Sequence, residues 1–290
     1  MKDAIKLAAY FVAVILVGAL VAPVLYWCAQ SLAGKGVLPF LAGFDFEVFF
    51  HRALLVAAIL LLWPMLRAIR VRGLNDLSLR RNPHRGRDFL AGLFTALVPL
   101  ALCAVALVLF HVFSVRAKVP WSPVGRTVAA SLVVPWIEET FFRGLVLGVL
   151  LRSGRKVLAI FLSSALFAVI HFLKAPEGTS TMVGWTSGFN SIAHSFEQFR
   201  EPMLVLGGFT TLFLIGWILA DARLRTASLW LPIGLHTGWI LGSGVFSRIT
   251  RREMLLLPWL GRNLLVGFIP LGVLVITWLV VRFLNREART

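Results

Sequence analysis

The sequence predicts an all-α, polytopic membrane protein in which about eight transmembrane helices enclose an intramembrane polar cavity. Hydrophobic residues make up 59% of the 290 residues and charged residues only 14%, too few to cover the surface of a soluble domain of this length. The mean hydropathy is +0.86. Eight apolar runs also approach the roughly 20 residues that a helix needs to cross a bilayer.

The apolar runs follow one another along the chain without a linker, a low-complexity tract or an internal repeat. We therefore expect a single transmembrane domain over residues 1–290. The first run is about twice as long as the hydrophobic region of a secretory signal, which indicates a retained span. The weakly amphipathic connection 174–202 suits a re-entrant or interfacial element. The predicted spans are 5–28, 49–67, 89–113, 127–150, 156–173, 203–221, 227–246 and 264–284.

The net charge of +16 does not indicate a nucleic-acid partner, because the basic residues lie in loops between apolar runs. Lys and Arg residues in the loops set the orientation of membrane proteins. Their excess on the side of the chain termini predicts a protein of the cytoplasmic (inner) membrane with both termini in the cytoplasm. Cys28 and Cys103 lie in apolar runs and are expected to remain thiols. The most basic stretch is the loop that follows the second span, and the excess is concentrated at Arg67, Arg70, Arg72, Arg80, Arg81, Arg85 and Arg87.

Three charged residues lie well inside the fourth predicted span, "SLVVPWIEETFFRGLVLGVL". Charges at the centre of a bilayer are costly and mark functional sites by default. Glu139 and Arg143 are spaced i,i+4 in the favoured order, which predicts an ion pair that holds this helix against a neighbour. Glu138 points about 100° away, without an evident cation. An isolated carboxylate of this kind can accept a proton from water, as a general base does.

Two histidines lie deep in later spans. In "FAVIH", Phe167 precedes His171 by one turn, so its ring can pack against the imidazole. In "GLHTGW", His236 stands between two glycines that allow a ligand or backbone to approach. The helical rise places Glu138 and both histidines near enough in depth to converge on one cavity. Such side chains resemble the ligands of catalytic zinc, and they could equally carry protons and stabilise an oxyanion without metal.

The segments "EETFFR", "FAVIH" and "GLHTGWI" resemble the motifs E-E-x-x-x-R, F-x-x-x-H and H-x-x-x-N of the CPBP or Abi family. These are the type II CAAX prenyl endopeptidases and bacteriocin-processing proteins, a family of intramembrane metalloproteases. The resemblance covers roughly residues 127–246. It implies a hydrolase that cleaves a peptide or protein substrate in the membrane, and a prenylated C-terminal motif is the target of eukaryotic members.

The resemblance also implies roles for individual residues. Glu138 would activate the hydrolytic water, and Glu139 and Arg143 would be its structural partners on the same helix. His171 and His236 would surround the water, or a zinc ion that carries it and is held by Glu138 and both histidines, and would stabilise the oxyanion.

One residue departs from the family pattern. Ile240 stands where the third motif has Asn, and isoleucine cannot donate a hydrogen bond. The loss of one oxyanion donor commonly lowers the rate by about 10²–10³. This departure keeps open a catalytically impaired family member that acts as a binding or immunity protein.

Two further functions stay open. A proton-coupled transporter would use Glu138 and the histidines as a relay, although the repeated, Gly-interrupted spans typical of transporters are not found. A b-type haem protein would be ligated by His171 and His236, which leaves both glutamates and Arg143 unexplained.

Overall fold

The computed structural model divides the chain into two compact units, which are described separately. The first contains residues 1–72 and 173–201, and the second contains residues 73–172 and 202–290. The single domain expected over residues 1–290 stays a prediction. The structure describes residues 2–71, 73–77, 82–172, 175, 176, 178–180, 182–254, 258–261, 264 and 266–284.

Helices dominate the described residues. Three 3₁₀ turns, at Pro39–Gly43, Leu74–Leu77 and Phe196–Arg200, and two π-helical segments, at Thr140–Val146 and Val205–Phe209, accompany the α-helices. The α-helices are α1 (Lys2–Gly34), α2 (Phe46–Ala68), α3 (Arg85–Leu109), α4 (Trp121–Glu139), α5 (Leu147–Leu151), α6 (Lys156–Phe172), α7 (Ser187–Ser195), α8 (Pro202–Leu204), α9 (Thr210–Thr226), α10 (Trp230–Ile249) and α11 (Phe268–Leu284).

In the first unit, α1 packs along α2, and α7 lies against α1. The closest approach is at Gly188 of α7, where a Cβ atom would collide with the backbone of Ala19. Only glycine therefore permits this contact. The connection 174–202, expected to hold a re-entrant or interfacial element, contains α7, and its position relative to a membrane stays a prediction.

In the second unit, α3 and α10 form the most extensive helix pair, and α10 also packs on α4. Gly234 makes the contact with α3 close, because a Cβ atom there would collide with the carbonyl oxygen of Phe89. Helices α6 and α9 form another close pair, in which a Cβ atom on Gly216 would lie 2.9 Å from Ser164 Cα. These contacts fix the helices that carry the predicted site.

Each predicted span coincides with helical structure. Among the described residues, four helical segments are long and apolar enough to cross a membrane, and two shorter ones are also apolar. This confirms an all-α, multi-pass membrane protein, whereas the count of eight crossings and the orientation stay predictions. Arg72, Arg80 and Arg81 of the basic loop lie outside the described residues. The four long segments are Lys2–Gly34, Phe46–Ala68, Arg85–Leu109 and Pro202–Thr226, and the shorter ones are Lys156–Phe172 and Phe268–Leu284.

One short antiparallel sheet was absent from the predicted fold. Strand β1 (Phe113–Val115) pairs with β2 (Thr250–Arg252), with Phe113 opposite Arg252. The strands follow α3 and α10, and because these helices lie side by side, the chain segments that leave them can pair. Strands of three residues are too short to show the alternation by which a strand is recognised in a sequence.

Candidate active site

The two glutamates of the first motif are the last two residues of α4, and the helix continues as a π-helix from Thr140 to Val146. Segments of π-helix are rare and occur frequently at functional sites. The side chain of Glu138 is 25% exposed, whereas that of Glu139 is fully buried. Adjacent carboxylates therefore occupy different surroundings, as the helix geometry predicted.

The predicted ion pair between Glu139 and Arg143 is present and buried. Arg143 Nη1 donates to Glu139 Oε1 over 2.9 Å, and Arg143 Nη2 donates to the carbonyl oxygen of Gly216 over 3.3 Å. The guanidinium carbon lies 4.4 Å from the centre of the Phe167 ring, within the range of a cation–π contact. Arg143 thus connects its own helical segment to α6 and α9.

Glu139 has a second partner that the sequence did not indicate. His236 Nδ1 lies 2.8 Å from the same oxygen, Oε1, that accepts the hydrogen bond from Arg143. Glu139 Oε1 accepts the hydrogen bond from Arg143, and a carboxylate oxygen in this role only accepts, so Nδ1 must carry the proton. A neutral His236 therefore presents Nε2 as an acceptor. Because the two residues are 97 positions apart, no local spacing could reveal this contact.

His171 is held in the same tautomer by its own helix. Its Nδ1 lies 2.8 Å from the carbonyl oxygen of Phe167, which can only accept a hydrogen bond. The predicted ring contact is also present, with the Phe167 and His171 ring centres 4.1 Å apart. The Phe167 ring additionally lies 6.0 Å from the ring of His236, edge to face. Phe167 is therefore the packing element between both imidazoles and Arg143.

Glu138 faces both histidines. Its Oε2 atom lies 3.3 Å from His171 Nε2 and 3.7 Å from His236 Nε2. Within the described part of the chain, this buried oxygen has no hydrogen-bond partner. Glu138 has no cation on its own helix, and the imidazoles that face it come from α6 and α10, in agreement with the predicted convergence on one cavity. Three acceptor atoms that face one another require a proton, a water hydrogen or a cation between them.

The accessible side of this cluster is formed by Glu138 and His171. The side chain of His171 is 28% exposed, compared with 7% for that of His236. Glu139, Arg143 and Phe167 are buried behind them. A substrate or water would therefore meet Glu138 and His171 first. The structure thus brings together all six residues singled out in the sequence: Glu138, Glu139, Arg143, Phe167, His171 and His236.

Zinc is the metal that the resemblance implies for this site. Among the residues that the structure describes, no group of three or more His, Cys, Asp or Glu side chains is arranged to hold a metal ion. The donor chemistry nevertheless suits zinc. Each imidazole donates Nδ1–H to an oxygen and leaves Nε2 bare, as zinc-ligating histidines do, and Glu138 adds an unpartnered carboxylate oxygen.

Ile240, at the expected Asn position, lies on α10 one turn after His236 and is half-buried. It brings no polar atom to this face of the helix. Nearby on α10 are two buried donors, Thr237 Oγ1 and Trp239 Nε1, that make no hydrogen bond within the described structure. Neither residue was singled out in the sequence, because an unpartnered donor is visible only once the packing is known.

The comparisons agree with the three motifs. A family model described as Type II CAAX prenyl endopeptidase Rce1-like matches residues 120–241, which contain all six site residues and Ile240. No curated protein matches the chain, and no solved structure does. The family match confirms the resemblance, and residues 120–241 are similar to the Rce1-like type II CAAX prenyl endopeptidases.

Proposed function

We propose that this protein is an intramembrane endopeptidase that hydrolyses a peptide bond of a membrane-associated substrate with a water activated by Glu138. The family match supports a protease of the CAAX endopeptidase kind, and the apolar helices support a multi-pass membrane protein. The observation that carries the role of Glu138 is its unpartnered Oε2, which faces the Nε2 atoms of two histidines beside an exposed edge.

The proposed reaction begins with a water bound between Glu138 and the imidazoles. Glu138 takes a proton from this water while the water oxygen adds to the scissile carbonyl carbon, which gives a tetrahedral oxyanion. The same carboxyl group then delivers the proton to the leaving nitrogen as the C–N bond breaks. One water is consumed, and the products are a carboxylic acid and an amine. One group acts as base and then as acid, so no second carboxylate is needed.

The histidines supply the charge that stabilises the oxyanion. A neutral His236 with its proton on Nδ1 cannot donate from Nε2, so in a metal-free reaction an imidazole must hold a second proton. His236 Nδ1 lies 2.8 Å from the Glu139 carboxylate and donates to it, so a second proton on this ring would be on Nε2, towards Glu138. His171 has no carboxylate behind its Nδ1 but lies closer to Glu138. Either imidazolium would donate from Nε2 to the oxyanion.

Zinc suits the same three donors, and Glu138, His171 and His236 would hold it with both imidazoles neutral. A zinc ion there would polarise the carbonyl group and favour the hydroxide form of a bound water. Glu139 and Arg143 would in either case orient His236 and not react themselves. The zinc-dependent and the metal-free reaction therefore differ in what the site contains: the first needs a metal ion, and the second needs one additional proton on an imidazole.

A catalytically impaired binding or immunity protein is the second candidate function, and Ile240 favours it. No observation favours the transporter. The haem alternative conflicts with the geometry, because both Nε2 atoms lie within 3.7 Å of one carboxylate oxygen, whereas two axial ligands require an iron between them. We also propose that a lipid-modified peptide is the substrate, since the matching family model is described as one of prenyl endopeptidases.

The test compares cleavage of a farnesylated peptide and its unmodified form by the detergent-purified protein, with metal content measured on the same sample. Glu138→Gln is expected to abolish cleavage without a change in yield. Glu47→Gln is the matched control, because Glu47 is also a buried glutamate but lies in the first unit. Equal cleavage by wild type and Glu138→Gln would refute the role of Glu138, and a folded wild type without activity on either peptide would favour the second candidate.

His236→Ala separates the two chemistries. Stoichiometric zinc in the wild type, lost together with cleavage in this variant, is the result expected of a metalloprotease. Cleavage by a wild-type protein that contains no metal is the result expected when an imidazolium stabilises the oxyanion.

A further inference from the structure

A cavity of about 650 Å³ lies at the start of α6, in the second unit. It is separate from the candidate active site, because His171 lies 15 residues further along the same helix, about 22 Å at the rise of an α-helix. The proposed peptidase uses none of its residues. The side chains that matter here are Arg155, Lys156, Val157, Leu158, Phe161 and Trp217.

Two basic residues, Arg155 and Lys156, line the cavity, and both are exposed. Among the described residues that line it there is no Asp or Glu. No acidic residue occurs anywhere between positions 140 and 176. On the neighbouring α9, Asp221 is already bound by Arg225 Nε over 3.0 Å and by Trp278 Nε1 over 2.9 Å. The two cations at the cavity are therefore available for an anionic ligand.

The remainder of the cavity is apolar and is continuous with the exposed side of α6. Val157, Leu158 and Phe161 are 71%, 43% and 50% exposed, respectively. Phe161 packs edge to face on Phe213 of α9, with ring centres 5.4 Å apart, and Phe213 lies beside Trp217. Aromatic rings thus line the groove between α6 and α9, next to the cations.

We infer that this cavity binds one anionic phospholipid, with the phosphate on Arg155 and Lys156 and an acyl chain along Leu158, Phe161 and Trp217. Basic side chains at a membrane surface attract anionic headgroups, and an indole ring favours the boundary between headgroup and hydrocarbon. A free phosphate would use only the two basic side chains, whereas a phospholipid would use these and the apolar side chains of the cavity. Charge complementarity and the apolar side chains beside the cations support this lipid site. It does not depend on the proposed peptidase function.

Native mass spectrometry of the detergent-purified protein tests the site with phosphatidylglycerol and phosphatidylcholine of identical acyl chains. The wild type is expected to prefer phosphatidylglycerol, and Arg155→Gln/Lys156→Gln should weaken its binding about 30-fold without an effect on phosphatidylcholine. Such a loss equals about 1 kcal/mol for each cation at a membrane surface. The matched control is Lys118→Gln/Arg126→Gln, which removes one lysine and one arginine that are exposed elsewhere.

Unchanged binding of phosphatidylglycerol by the control supports a local site. An equal loss in both double variants would show attraction by the net charge alone and would overturn the proposal. Equal affinity of the wild type for the two lipids would also overturn it. Soluble glycerol phosphate should not displace bound phosphatidylglycerol at equal concentration; displacement would overturn the role of the acyl chain. All four exchanged residues are exposed, so the variants are expected to fold.

Discussion

Replacement of Glu139 by glutamine tests whether this residue controls the tautomer of His236 or only anchors Arg143. The exchange keeps the shape of the side chain. In the wild type, Oε1 accepts hydrogen bonds from Arg143 Nη1 over 2.9 Å and from His236 Nδ1 over 2.8 Å. A glutamine that turns its oxygen to Arg143 presents its NH₂ group to His236. The imidazole must then accept at Nδ1 and carry its proton on Nε2, towards Glu138.

The magnitudes follow from burial. Glu139 is fully buried and Arg143 is 1% exposed, so the exchange leaves a buried cation without its counter-charge. Such a loss costs about 3–5 kcal/mol, or a fall of roughly 10 °C in the melting temperature of a chain of this size. A proton on Nε2 would prevent His236 from binding zinc, and in a metal-free site it would donate to Glu138 and so engage the base. Enzymes whose histidine base is held in the wrong tautomer lose about 10⁴ in kcat. Both stability and activity should therefore fall.

The double variant Glu139→Gln/Arg143→Gln separates the two effects. It removes both buried charges, so most of the lost stability should return. Activity should stay low, because no carboxylate at position 139 then fixes the proton of His236 on Nδ1: the amide there can present either its oxygen or its NH₂ group. The assays are thermal unfolding in detergent, peptide cleavage, and the ¹⁵N shifts of the imidazole, which report the tautomer. Activity that returned together with stability would refute a role of Glu139 beyond the ion pair.

Three other exchanges have definite expected outcomes. Ile240→Asn should raise kcat, by up to about 10²–10³, if the oxyanion lacks this donor; unchanged cleavage would mean that another donor serves it. Gly216→Ala should lower the free energy of unfolding by about 1–3 kcal/mol in thermal unfolding, because the new Cβ would lie 2.9 Å from Ser164 Cα. Gly272→Ala is the matched control: nothing lies within 4 Å of its Cβ position, so this exchange should not lower stability. Gly234→Ala should separate α10 from α3 at Phe89 and reduce both melting temperature and cleavage, and an unaffected protein would contradict the close contact.

Contacts within one helix could be predicted from the sequence, because helical periodicity alone decides them. The pair Glu139–Arg143 and the packing of Phe167 on His171 are of this kind, and both are present. Depth along the spans also predicted that Glu138, His171 and His236 come together, but the individual contacts between other pairs on different helices could not be predicted. The bond from His236 to Glu139 depends on how α10 packs against α4, and neither residue type nor spacing records it.

The same division holds for the fold. Eight apolar runs predicted the helices, since hydropathy and length suffice for that, but nothing in "TFFRGLV" indicated the π-helix at Thr140–Val146. A π-helix changes the ladder of backbone hydrogen bonds and not the composition, so it leaves no hydrophobic signature. The short sheet of β1 and β2 was missed for a related reason, because it depends on where two distant helices end.

The charges of the site explain why a metal or an additional proton belongs to it. Glu138 and Glu139 contribute two negative charges and Arg143 one positive charge when ionised, and both histidines are neutral when each carries only the Nδ1 proton that its hydrogen bond requires. The cluster as drawn therefore has a net charge of −1, which a poorly hydrated interior disfavours. One proton shared among Glu138 and the Nε2 atoms brings the charge to zero, and that proton also separates the three acceptors. It is at the same time the proton that the oxyanion needs. A divalent ion would bring the charge to +1 and take over both tasks, so wild-type protein that is free of metal should hold one more proton at this cluster than metal-loaded protein, and calorimetry of zinc binding in buffers of different ionisation enthalpy would count it.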